Sequence, residues 1–226
     1  PLLPTARHEM LWKSMFSSPV AHSSVMLRRD VILGAGGYDE GFRYAPDYDL
    51  WSRLIGLGYR LANLPDLLTL IRIHGIADGV TAVQIELVDE VARISARNIE
   101  AALSLRISPG EARKMILLVN YHCCPDADAG AALRTLDAVA RGCAAAVGRQ
   151  VMPCYGRTLM RLTASPGGIP LLARIGLFAK GLRLALADSD SRDRFRFVKD
   201  WVLTGRFVGA IRLAWRRSSL GGSRVA

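Results

Sequence analysis

The stretch GGYDEGFRYAPDYDLWSRL, residues 36–54, gathers glycines, aromatics and carboxylates into nineteen positions. Asp47 and Asp49 follow Pro46 and run into an apolar-periodic segment that carries Trp51. Three chemistries suit such a pair. One aspartate can cap a helix N-terminus. Two can hold a divalent cation as a D-x-D. A single carboxylate on a rigid mount can act as a general base. The same triplet recurs at Asp126/Asp128 and Asp188/Asp190, in Ala/Ser-rich polar stretches that read as solvated loops. The first triplet differs from these in its neighbours.

The elements around it read as mixed α/β. SVML (24–27) reads as a buried strand, and RRDVILGAGGYD as a short helix stopped by Gly36 and Gly37. DYDLWSRLIGLG reads as an amphipathic helix with Leu50, Leu54 and Leu57 on one stripe, ending at Gly58. YRLANLPD and LLTLIRIH read as two strands joined by a Pro-Asp turn. From residue 81 the pattern is helical. TAVQ (81–84) and SPGE (108–111) have capping-box spacing, with Pro109 at a first helical position. AGAALRTLDAVARGCAAAV supplies a further helix, and SPGGIP (165–170) a break. These changes of texture divide the chain into 1–80, 81–164 and 165–226.

Composition narrows the function classes. Half of the 226 residues are hydrophobic and 22% are charged, enough for a packed core. The net charge of +10 is uneven. Residues 1–154 hold 16 basic and 16 acidic side chains, while residues 155–226 hold 14 basic and 4 acidic. A neutral body with a basic end directs any anionic partner to that end. In residues 197–217, Phe197, Trp201, Val208, Ile211 and Trp215 share a helical face, with Lys199, Arg206 and Arg217 opposite. That pattern suits an anionic membrane surface, reached through residues 166–226. No nucleic-acid reading motif accompanies the charge. Cys123, Cys124, Cys143 and Cys154 form no C-x-x-C, so they read as reduced thiols of a cytoplasmic protein. No apolar run reaches the roughly 18 residues of a membrane span.

The segment HSSVMLRRDVILGAGGYDEGFRYAPDYDLWSRLIGLGYRLANLPDLLTLIRIH resembles the second half of the catalytic domain of family 2 glycosyltransferases, the GT-A fold. The resemblance rests on VMLRR, then GGYDE-x-F, then DYDLW-x-R, then G-Y-x-L-x-x-L-P, and finally R-x-H. It implies an α/β GT-A acceptor half over residues 1–80, followed by an α-helical region. Asp47 matches the position of the family's base. The family commonly has Glu where Pro46 stands, and Tyr where Ile71 stands. By the same resemblance Asp49, Trp51 and Arg72 would contact substrate, and His74 would lie near a metal; on the residues alone, Asp49 suits a first helical turn and Trp51 suits core packing against the following strands.

The implied reaction is transfer of a sugar from a nucleotide-diphospho-sugar to a saccharide or lipid-linked acceptor, with inversion. A divalent Mn or Mg ion would assist the departing diphosphate. Such enzymes build surface polysaccharide or glycolipid, which suits a peripheral place at the inner membrane face. The start of a helix favours a negative charge there and gives Asp47 a rigid mount. No upstream D-x-D and no nucleotide-binding strands precede the matching block. The chain therefore reads as the C-terminal part of a longer enzyme, with capping as a second duty of Asp47. The competing expectation is a non-enzymatic, membrane-peripheral helical module with a degenerate transferase remnant.

Overall fold

The computed structural model describes residues 3–66, 68–70, 82–121, 125–163, 169 and 171–187. These form eight α-helices: α1 (Arg7–Ser14), α2 (Arg29–Gly34), α3 (Pro46–Gly56), α4 (Ala82–Leu103), α5 (Pro109–Ile116), α6 (Asp126–Val147), α7 (Met152–Thr163) and α8 (Leu171–Leu186). Two 3-10 turns (His22–Ser24 and Arg149–Val151) and a π turn (Leu117–Tyr121) complete the described elements.

The expected α/β architecture is overturned: the described residues contain no strand and no sheet. Val25 is extended, and residues 59–66 run without helix, yet neither segment enters a ladder. A strand exists only when a neighbour 4.7–4.9 Å away exchanges backbone hydrogen bonds. Of SVML, Ser24 closes a 3-10 turn and Met26 is 99% exposed, so the expected buried strand is overturned there too. Much of LLTLIRIH lies outside the described residues.

Helical expectations fared better. Gly36 and Gly37 take φ of 84° and 69° just past α2, a left-handed stop that L side chains resist. Gly58 does the same after α3, with φ of 86°. Leu50 and Leu54 are buried, but Leu57 lies past the helical end and is 62% exposed. The capping box at Ser108 forms as expected: Glu111 N donates to Ser108 Oγ, and Ser108 N donates to Glu111 Oε2. The TAVQ box rests in part on Thr81, outside the described residues. Asp126 and Asp128 open α6 instead of forming a loop, and Lys114 pairs with Asp128 at 2.7 Å.

One core runs across the helices. α4 contributes Val88, Val91, Ile94 and Ile99, and α6 contributes Leu136, Val139 and Cys143 at the three-to-four spacing of a buried stripe. Trp12, Met15, Phe16, Ala45 and Tyr48 from the first fifty residues belong to that same core. A second, smaller core joins Met10, Val20, Leu50, Trp51 and Leu54. Burial protects two thiols: Cys143 is pushed up to about 12, first by desolvation and then by Cys154 beside it. Both are free.

α7 and α8 pack with their backbones nearly touching. A Cβ on Gly156 would stand 2.6 Å from Ala185 N and Gly181 O, and one on Gly181 would stand 2.8 Å from Gly156 O. Beside this crossing, Lys180 Nζ donates to Asp137 Oδ1 at 2.8 Å, and Tyr155 Oη donates to the same oxygen. α8 is therefore docked, although Ile175 faces outward. The second basic segment, 197–217, lies outside the described residues. Gly156→Ala should lower the free energy of unfolding by roughly 1–3 kcal/mol in a urea titration, because neither backbone can yield locally. Gly176→Ala, with no atom within 4 Å of its added methyl, should instead stabilise α8 by up to about 1 kcal/mol.

Candidate functional site

α3 is entered in an unusual way. Its N-cap is Ala45, whose methyl cannot accept a hydrogen bond, and Pro46 follows at the first helical position. Asp47 is thus the second helical residue, half-buried, and the expected capping duty does not fall to it. The acceptor comes from α4. Glu90 Oε1 accepts from Arg43 N at 2.8 Å, and Oε2 accepts from Tyr44 N and Ala45 N at 2.8 and 2.9 Å. Phe42 of this loop also leans on α4, with the Arg93 guanidinium 5.3 Å from its ring centroid, and within the loop Arg43 covers Tyr44 at the same distance. Sequence reasoning missed Glu90, since no spacing rule joins residues 43–45 to 90.

Asp49 is fully buried and doubly paired. Its Oδ2 accepts from Arg53 Nε at 2.8 Å, one turn on, and its Oδ1 accepts from Arg97 Nη1 at 2.7 Å. Arg53 then reaches back to the glycine turn, donating from Nη1 to Ala35 O and from Nη2 to Gly37 O at 2.6 Å. The GGYD and DYDLW-x-R stretches are therefore one physical unit: Asp49 orients Arg53, and Arg53 fixes the turn after α2. With each Asp49 oxygen engaged by a guanidinium, Asp47 and Asp49 do not fit a cation-binding D-x-D. His74, the other metal expectation, and Arg72 lie outside the described residues.

Trp51 is fully buried, and its Nε1 has no hydrogen-bond partner among the described residues. It lines a cavity of about 530 Å³ together with Val20, Val25, Leu27, Leu61 and Asn63. Asp47 is not among the lining residues. Nearby, His22 Nε2 and Tyr38 Oη are 2.8 Å apart, and the His22 and Trp51 rings sit 6.3 Å apart, tilted. The structure thus brings Asp49 against Arg53 and Arg97, and leaves Trp51 facing a different space from Asp47.

Among the described residues a further group of potential ligands, His8, Glu9 and Cys154, lies between α1 and α7. The Arg157 guanidinium already serves it, donating to Glu9 Oε1 at 3.2 Å and to Cys154 Sγ at 3.1 Å.

No family profile and no solved structure matches the chain. It is similar to two curated proteins, each over about a third of its length. One is the amylovoran biosynthesis glycosyltransferase AmsE of Erwinia amylovora, 36% identical over 70 residues, which are 31% of this chain and 26% of that protein. The other is an uncharacterized glycosyltransferase of Haemophilus influenzae strain Rd, 31% identical over 71 residues, again 31% of this chain and 26% of the relative. The chain spans about a quarter of the length of these relatives. Part of this chain is therefore related to glycosyltransferases.

The Asp49 network sets a stability test. Asp49→Asn should cost roughly 3 kcal/mol in chemical denaturation, the low end for breaking a buried pair, because both arginines keep some water. Limited proteolysis should then cut between residues 34 and 41 sooner, as Arg53 loses its orientation. Wild-type stability and cleavage would mean that the pairing does not hold the turn.

Proposed function

We propose that this chain contributes the acceptor-side base of a family 2 glycosyltransferase, transferring a sugar from a nucleotide-sugar to a saccharide or lipid-linked acceptor. The observation that carries the reading is the 36% identity with a named glycosyltransferase over 70 residues. That relative is named for amylovoran biosynthesis, which favours a polysaccharide product. Asp47 supports the reading from its place: a half-buried carboxylate in the first turn of a helix whose entry is fixed from α4.

In this reaction the acceptor hydroxyl oxygen attacks the anomeric carbon as the bond from that carbon to the diphosphate breaks. Asp47 takes the hydroxyl proton, and the bonding pair leaves with the nucleoside diphosphate. Attack from the face opposite the leaving group gives inversion. A divalent ion, when bound, would neutralise charge on the departing diphosphate. Asp47 and Asp49 do not fit it, since both Asp49 oxygens are held by guanidiniums, so no step here is assigned to it.

Residues 155–226 carry 14 basic and 4 acidic side chains, and this balance supports peripheral attachment to an anionic membrane face. No helix among the described residues is long and apolar enough to cross a membrane.

Asp47→Asn in the transferase carrying this chain should lower turnover by at least about 100-fold and leave donor affinity unchanged, because an amide cannot take the proton. Turnover is read as nucleoside diphosphate released from UDP-glucose and UDP-galactose, with a membrane lipid extract as acceptor. Stability should hardly change, since Asp47 is not the cap. Near-wild-type turnover would remove Asp47 from the chemistry.

For the surface, the chain should co-sediment with phosphatidylglycerol vesicles at low salt, detach as salt shortens the reach of its charges, and cease to bind when residues 166–226 are deleted. Failure of the intact chain to bind at low salt would end the membrane reading.

A further inference from the structure

The carboxylate that satisfies the entry to α3 belongs to another helix, and the same face of α4 also holds Asp49, two residues past Asp47. Glu90 is 93% buried (7% relative exposure) and accepts three backbone N–H groups, from Arg43, Tyr44 and Ala45. Two turns further along α4, Arg97 holds Asp49, and its neighbour Asn98 donates to Ser52 Oγ at 2.8 Å. α4 thus grips the chain two residues before and two residues after Asp47. Without Glu90, three N–H groups at the mouth of α3 would lose a charged acceptor, and the buried one of Ala45, out of reach of water, would be left unmet at a cost in free energy. The first turn would relieve that cost by moving, and Asp47 would move with it.

We infer that Glu90 is a positioning residue for Asp47, acting as a cap supplied from α4. The inference rests on the reading of Asp47 as base. Glu90 touches no reacting atom; it sets where the first turn of α3 stands. Displacements of about 1 Å at a catalytic group can cost around 100-fold in rate, so a cap of this kind has a kinetic signature.

The test has two arms. In the 226-residue chain, Glu90→Gln keeps the size of the side chain but turns one acceptor into a donor. The amides of Arg43, Tyr44 and Ala45 should then exchange with deuterium at least about tenfold faster, while those of α6 and α7 keep their rates. Unchanged exchange at the three amides overturns the cap. In the transferase carrying the chain, assayed by UDP release as above, Glu90→Gln should lower kcat by about 10- to 100-fold with the donor KM within about twofold. Added to Asp47→Asn, it should lower the residual rate by less than about twofold, because both changes act through one group. An additive loss, or a wild-type kcat in Glu90→Gln beside an inactive Asp47→Asn, overturns the positioning role alone. Full turnover in Asp47→Asn overturns the base, and the positioning role with it. Glu90→Asp keeps the charge one methylene short and should give an intermediate kcat; it carries the same test if the glutamine variant does not fold.

Discussion

Helix ends that are buried must find hydrogen-bond partners, and α4 supplies several of them, at the end of α1 and at the mouth of α3. The last carbonyls of a helix have no partner inside it, and neither do the first N–H groups. At the end of α1, Ser14 O accepts from Tyr48 Oη at 2.6 Å and from Asn98 Nδ2 at 3.0 Å, and Met15 O accepts from Ser95 Oγ at 2.5 Å. Phe16 O accepts from Asn120 Nδ2 in the π turn. At the mouth of α3 the debt runs the other way, and Glu90 meets it. Ser95, Asn98 and Glu90 lie on one helix among apolar core residues. A polar side chain placed there would be a defect if the helix ends it serves were elsewhere.

This arrangement explains why the first fifty residues share a core with the later helices. α1 and α3 are short, at eight and eleven residues, and helices of that length are marginal alone. Trp12 illustrates the docking: its indole Nε1 donates to Thr158 Oγ1 at 3.2 Å, while its ring lies 4.8 Å from Phe16 and 5.8 Å from Tyr155. Thr158 passes the bond on to Cys154 O within α7. Apolar burial gives the attraction, and these directional bonds set one orientation.

The two aspartates of the DYD stretch divide their duties by helical phase. Asp49, two residues after Asp47, is turned into the protein, where two guanidiniums meet it. Asp47 stays half-buried at the rim. Asp49 holds the turn after α2 through Arg53, and Asp47 takes no part in that network. Burying a carboxylate is tolerable here because each oxygen is bound by a cation, and Arg53 stays partly wet.

Local features were readable from residue types alone: the stops at Gly36, Gly37 and Gly58, the Ser108 capping box, the Leu50 and Leu54 stripe of α3, and the existence of α6 as a helix. Each depends on a few neighbouring residues, through the φ that glycine permits or the side-chain reach of a serine. The cluster of Gly36, Gly37, Asp47, Asp49 and Trp51 was also visible as a unit. Its internal wiring was not, because Arg53 reaches the turn eighteen residues back and Arg97 reaches Asp49 across forty-eight. The strand reading of SVML failed for the same reason. Residue type determines whether a segment can extend, but a ladder needs a partner that no local pattern names. Asp47 looked like a cap because aspartate before a helical stripe usually is one. Only the tertiary structure decided that Ala45 is the cap position and that Glu90, held close by the packing of α4, supplies the carboxylate.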